Sequence, residues 1–306
     1  MRVQYDIGKV FQDSFAVIKA HPWWVLAWGA LLIVLPTIPV IPMFVWMANN
    51  FEVLADNPEA MNEMIGLNLL ANLSSVLQLL LMVPIIAAVA RLVLGKGIGR
   101  IVGLRASMDE LWVFVTYIAI VLGFFIAAMI IALITVFAGL IVGYASGIEA
   151  AGVGTGIVIG LVAILPMIWV GVRLSLLIPA SIDLNTFALV PAWKASKGHF
   201  WPLLGTAFLS MLIMVAISIV WMIALLLIIL VLGFVGGAAG LVAFNEDPSQ
   251  WNWVALIVIG VVLMAVPTFF MQGLNTVLNI APFTSAWRQL RPSVEQQGDP
   301  GIVLEL

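Results

Sequence analysis

Residues 111–144 read LWVFVTYIAIVLGFFIAAMIIALITVFAGLIVGY, 34 positions without one charged side chain. A helix needs about 20 apolar residues to cross a hydrocarbon core of roughly 30 Å. This run therefore spans a bilayer with length to spare. Working outward from it, five further runs meet the same requirement: 23–47, 67–94, 156–180, 200–234 and 254–281. The runs at 111–144 and 200–234 exceed the need, so they should tilt, break or project beyond the lipid.

The whole chain agrees with this reading. Of its 306 residues 64% are hydrophobic and 9% charged, and the mean hydropathy is +1.20. Soluble domains sit near about 45–50% apolar and about 25% charged, so this chain could not cover itself with polar surface in water. Disorder is excluded, and the absence of Cys excludes a disulfide scaffold, thiolate catalysis and Cys-ligated metals. A net charge of −3 excludes nucleic acid as a partner. The expected fold class is all-α, a polytopic membrane bundle of six transmembrane helices.

Charge sets the orientation. Arg2, Lys9 and Lys19 precede the first span, while Arg91, Lys96, Arg100 and Arg105 surround the second connection. Arg173, Lys194 and Lys197 surround the fourth connection, and Arg288 and Arg291 follow the last span. These are all 12 cations, and the other connections carry only acids: Glu52, Asp56, Glu59, Glu63, Glu149, Glu246 and Asp247. Cationic loops resist translocation, which predicts cytoplasmic N- and C-termini. Asp6 and Asp13 interrupt any basic leader, and the first apolar run is too long for a cleavable signal.

A repeat lies under the hydrophobicity. Lys19-Ala20-His21-Pro22-Trp23 returns as Lys197-Gly198-His199-Phe200-Trp201, with a weaker copy, Met108-Asp109-Glu110-Leu111-Trp112, between them. The three Trp are each 89 residues apart. Val83-Pro84 is followed by Arg91, and Leu165-Pro166 by Arg173, both at a spacing of seven; Val266-Pro267 is followed by Leu274 instead. Three hairpin units follow, at about 1–95, 96–180 and 181–290, in one membrane domain (1–290) with a polar tail (291–306). Each proline should bend its helix and face protein or water, because it frees a carbonyl. Ahead of the first span, Ile7, Val10, Phe11, Ser14 and Ile18 mark an amphipathic helix capped by Asp6. A second interfacial segment is expected around Ile182–Lys197.

Val172-Arg173-Leu174-Ser175-Leu176-Leu177-Ile178-Pro179-Ala180 and Ala192-Trp193-Lys194-Ala195-Ser196-Lys197-Gly198-His199-Phe200-Trp201 carry a family likeness, joined by Asp6-Ile7-Gly8-Lys9-Val10-Phe11 and Ala281-Pro282-Phe283-Thr284. Over about residues 5–290 the chain resembles the six-helix membrane domain of bacterial glycerophosphoryl diester phosphodiesterases and related stand-alone inner-membrane proteins. That resemblance implies a bacterial cytoplasmic-membrane location and a connection with lipid or envelope homeostasis. Phosphodiester chemistry in that family belongs to a separate soluble domain, and no polar stretch here has room for one, so no catalytic residue is carried over.

Candidate sites follow from the residues. Arg91 and Arg173 sit a turn or two inside the ends of returning spans, where a guanidinium must snorkel, pair or meet a phosphate. Arg91 and Arg173, with Lys19, Lys197, His21 and His199, form the expected lipid-headgroup contacts. The alternative for the two arginines is topological anchoring, with Trp169, four residues before Arg173, as a cation–π partner. Asn68, Asn72 and Ser75 share one helical face, as do Gln272, Asn275 and Asn279; each stripe serves either a hydrophilic pathway or interhelical hydrogen bonding. Gly139/Gly143, Gly156/Gly160 and Gly236/Gly240 predict close helix packing. The acids of the 49–64 loop are read as solvated rather than as a cation site. No metal, cofactor or catalytic cluster is expected. The leading expectation is a non-catalytic membrane protein that engages anionic lipids, other membrane proteins or a second copy of itself. The alternatives are a small-solute or lipid transporter and an intramembrane phospholipid-processing enzyme.

Overall fold

The computed structural model describes residues 5–50, 58–97, 102–105, 107–243 and 251–296. Among them the chain is all-helical: α1 (Ile7–Ala20), α2 (Pro22–Thr37), α3 (Ile41–Asn50), α4 (Pro58–Leu94), α5 (Met108–Ser146), α6 (Glu149–Leu174), α7 (Leu177–Leu184), α8 (Leu189–Ser196), α9 (Phe200–Ala243) and α10 (Trp251–Gln296). Six stretches are long and apolar enough to cross a membrane: Pro22–Met47, Gly66–Leu94, Met108–Ser146, Glu149–Leu184, Phe200–Val231 and Leu263–Arg291.

Two spans differ from the uniform rods that hydropathy suggests. The first is broken by a single 3-10 turn at Ile38–Val40, within the run Pro36, Pro39 and Pro42. Three missing backbone donors in seven residues leave no continuous ladder there. The fourth bends at Ser175–Leu176 into the short helix α7. The long third span does not break: α5 is 39 residues of continuous helix, about 58 Å at 1.5 Å per residue, and so projects beyond the lipid. Likewise α10 runs through Gln296, past the expected boundary at 290, and Arg291 bonds to Asp183.

Helix starts follow local chemistry. Asp6 caps α1 by accepting the Lys9 N–H at 3.2 Å, and the buried face of α1 is Val10, Phe11, Ser14 and Val17. Ser107 opens α5, its N–H donating to the Glu110 carboxylate at 2.8 Å. This Ser-x-x-Glu pattern is a capping box.

Packing links the spans in order. α2 packs on α4, α5 on α6 and α9 on α10; α4 also meets α5, α6 meets α9, and α10 returns to α2. Burial is concentrated at the end of the spans where the cations lie. There Val10, Phe11, Leu176, Leu177, Ala192, Leu203, Trp287 and Leu290 join one core. Farther along, α5 and α9 bury none of their most apolar stretch, whereas half of α4's is buried. The exposed large side chains there are mostly Leu, Ile, Val, Phe and Met, which suits a lipid solvent.

Two glycine contacts set the closest helix approaches. A Cβ at Gly29 would fall 1.6 Å from the Phe269 carbonyl oxygen, and one at Gly273 would fall 1.8 Å from that of Val25. The α2 and α10 backbones touch. At the far end of the α5–α6 hairpin, Gly139 and Gly143 pack on Gly152, where a Cβ would lie 2.5 Å from the Gly139 carbonyl oxygen. The expected partner Gly160 has nothing within 4 Å, and Gly156 meets only Thr135. The surroundings of Gly236 and Gly240 fall outside the described residues. Pro84 and Pro267 are half-buried as expected of helix-bending prolines, but Pro166 is exposed, because α6 presents that face outward.

Candidate functional site

The charged end of the bundle holds two kinds of cation. Four of them, Arg91, Lys96, Arg288 and Arg291, pair with carboxylates of the protein. Arg91 is 1% exposed and donates to Glu110 at 2.6 Å, to Asp109 at 3.3 Å and to the Ser107 hydroxyl at 3.2 Å. Its guanidinium thus ties the end of α4 to the capping box of α5. The expected headgroup contact at Arg91 is replaced by these carboxylates, because burying a guanidinium requires local counter-charge.

A second knot surrounds Asp183, whose side chain is 4% exposed. It accepts from the Trp287 indole at 3.0 Å and pairs with Arg291 at 3.1 Å. Lys96 lies 3.6 Å from the carboxylate and donates to the carbonyls of Ile182 and Asp183, each at 2.8 Å. A third knot ties α1 to α10: Arg288 donates to Asp13 at 2.6 Å and to the Val93 carbonyl at 2.8 Å, and Ser285 also donates to Asp13. Asp183→Asn removes the charge that holds Arg291 and Lys96. It is expected to cost ~1–3 kcal/mol, read as a lower unfolding temperature in detergent, with helix content at 20 °C unchanged.

Arg173 is different. Its guanidinium carbon lies 4.3 Å from the Trp169 ring centre and 4.8 Å from that of Trp193, two rings meeting edge-on at 84°. Its Nε is buried without a hydrogen-bond partner, as Arg91 Nε also is. Among the described residues no carboxylate pairs with it. The anticipated Trp169 platform is present; Trp193, on α8, adds a second wall that linear spacing could not show.

The remaining candidates are dispersed around this rim. Lys19 and Lys197 are exposed. His21 stacks on Trp24 with centroids 4.4 Å apart. His199, just before α9, has a buried Nδ1 without a partner. Trp23 and Trp201, at matching places after the two His, are 77% and 76% exposed and point outward alike. Among the described residues no group of three or more His, Asp or Glu is gathered to hold a metal, and neither His bonds to a carboxylate. The side chains of Glu52, Asp56, Glu59 and Glu63 lie outside the described residues, as do Arg2, Arg100, Glu246 and Asp247.

The two polar stripes are placed differently. Asn68, Asn72 and Ser75 are exposed on α4. On α10, Gln272 and Asn275 are half-buried and Asn279 donates back to the Asn275 carbonyl at 2.9 Å. Among the described residues no hydrogen bond joins the stripes. A groove of about 1290 Å³ opens between α5 and α6, lined by Thr135, Gly139, Tyr144, Glu149, Gly152 and Ile157, with no residue of either stripe in its wall.

No protein-family model, curated protein or solved structure matches the chain.

Proposed function

We propose that this chain is a non-catalytic, multi-pass protein of the bacterial cytoplasmic membrane, with both termini inside, that engages anionic lipid headgroups along its cationic rim. One observation carries the reading: Arg173 is walled by Trp169 and Trp193 and has no carboxylate partner among the described residues. Tryptophan and a guanidinium together favour the headgroup layer, where the ring body meets the acyl boundary and the charge meets phosphate. Arg91, Lys96, Arg288 and Arg291 are held by Asp109, Glu110, Asp183 and Asp13, so they hold the rim together.

The cyclic packing supports the three-hairpin reading, since each returning helix meets the outgoing helix of the next unit and α10 closes on α2. Their equal outward exposure supports matching roles for Trp23 and Trp201. The likeness to the phosphodiesterase-associated membrane domain favours a role in lipid or envelope homeostasis. Partners of the rim, beyond lipid, are other membrane proteins or a second copy.

Arg173→Ala should lower the phosphatidylglycerol that copurifies with the protein, by roughly fivefold or more, as befits loss of a charge-assisted contact. Mass spectrometry of the purified protein reads this. Unchanged phosphatidylglycerol would remove Arg173 from lipid binding.

A further inference from the structure

Resting on that lipid-binding reading, we infer that a phosphate anion occupies at Arg173 the place that Asp109 and Glu110 occupy at Arg91. The argument is a comparison within the molecule. Arg91 ends the first unit's returning helix, and its counter-ions begin the next unit's outgoing helix, three and two residues before Trp112. Arg173 stands seven residues after Pro166, as Arg91 does after Pro84. Three and two residues before Trp201 stand Gly198 and His199. At this junction the carboxylates are missing although the arginine remains.

The third junction makes the pattern sharper. There Leu274 replaces the arginine, and Ala20 and His21 precede Trp23. No guanidinium stands at the aligned position, so none there needs a counter-charge. Only the second junction has a guanidinium without its acid pair.

The physical details fit an external anion. His199 Nδ1 is buried and lacks a partner, as does Arg173 Nε, though Arg91 Nε shares that state; what separates the two arginines is the absent acid pair. The helices that carry or follow them, α6 and α9, pack together, with Trp193 of α8 against Arg173. The first turn of α5 contains Asp109 and Glu110, whereas the first turn of α9 contains no acid. An anion there meets the positive end of the helix dipole as Glu110 does on α5. A phosphodiester or phosphate supplies the planar pair of oxygens that a guanidinium fork accepts. Choline or another quaternary cation is the wrong sign for a cage already filled by Arg173.

Restoring the internal acid should therefore evict the ligand. His199→Glu places a carboxylate at the position aligned with Glu110. In mixed micelles of detergent and phosphatidylglycerol, His199→Glu should retain about tenfold less of that lipid than the unaltered protein, with its unfolding temperature in lipid-free micelles held or raised. His199→Gln should retain phosphatidylglycerol within about twofold, because it adds no charge. Gly198→Asp, aligned with Asp109, gives an independent test; Gly198 sits at φ +85, a region aspartate tolerates better than most side chains. Phosphatidylcholine micelles set the level of headgroup-independent retention. Millimolar inorganic phosphate that displaces phosphatidylglycerol and stabilises the protein by itself would assign the site to free phosphate; no displacement assigns it to lipid.

Full lipid retention by both His199→Glu and Gly198→Asp would overturn the inference, even if Arg173→Ala had lost lipid. Equal losses in His199→Gln and His199→Glu would also overturn it, since the added charge would then not be the cause. Retention by Arg173→Ala defeats the lipid reading one level earlier.

Discussion

Gly273→Ala is expected to abolish the folded state. The added Cβ would lie 1.8 Å from the Val25 carbonyl oxygen and 2.7 Å from its carbon, and those atoms are backbone that cannot rotate aside. The clash can be relieved only by separating α10 from α2. Ordinary overpacking in a core costs about 1–3 kcal/mol. Here the loss should be larger, because the separation also opens the cluster of Val25, Trp28, Val277 and Ala281. Gly29→Ala should behave alike, with its Cβ 1.6 Å from the Phe269 carbonyl oxygen. Gly123→Ala is the control: nothing lies within 4 Å of its Cβ, and alanine there should be neutral or stabilising by about 0.5–1 kcal/mol. Size-exclusion profiles and thermal unfolding in mild detergent check all three. A monodisperse Gly273→Ala protein with unaltered unfolding would refute the direct α2–α10 backbone contact.

Arg91→Met is expected to cost about 3–5 kcal/mol, the penalty for breaking a buried ion pair from one side. Asp109 and Glu110 would keep their charge near α5's first turn without the guanidinium that faces them at 3.3 and 2.6 Å. Arg91→Lys should recover only part of the loss, since a single ammonium cannot reach Ser107, Asp109 and Glu110 together. Adding Asp109→Asn and Glu110→Gln to Arg91→Met should recover much of the stability, because no uncompensated charge is then left. Strict additivity of the three substitutions would contradict the network.

Much of this architecture is legible from composition and charge. Apolar runs identify six spans because lipid tolerates so few ways of satisfying a backbone. The Asp6 cap and the α1 face are legible for the same local reason: three- and four-residue spacing is a property of the helix alone. What linear reading missed depends on distant partners. Gly29 and Gly273 are single glycines in long apolar runs, and their pairing exists only once α10 returns to α2. Asp13 and Asp183 look like ordinary interfacial acids until Arg288, Arg291, Lys96 and Trp287 surround them. The Arg91 partners did carry a signal, the Ser107-x-x-Glu110 box opening the next span. The same text gave Trp169 for Arg173, one helical turn away, but not Trp193 from another helix.

The proposed function places the cationic rim in one leaflet, on the cytoplasmic side. The chain has no cysteine, so single reporters can be introduced without removing any native thiol. Lys197→Cys lies on the exposed rim, and Ala145→Cys at the exposed far tip of the α5–α6 hairpin. With a membrane-impermeant maleimide on intact cells, Ala145→Cys should label at once and Lys197→Cys only after permeabilisation. Labelling of Lys197→Cys in sealed cells, with Ala145→Cys protected, would contradict the orientation and the headgroup site built on it.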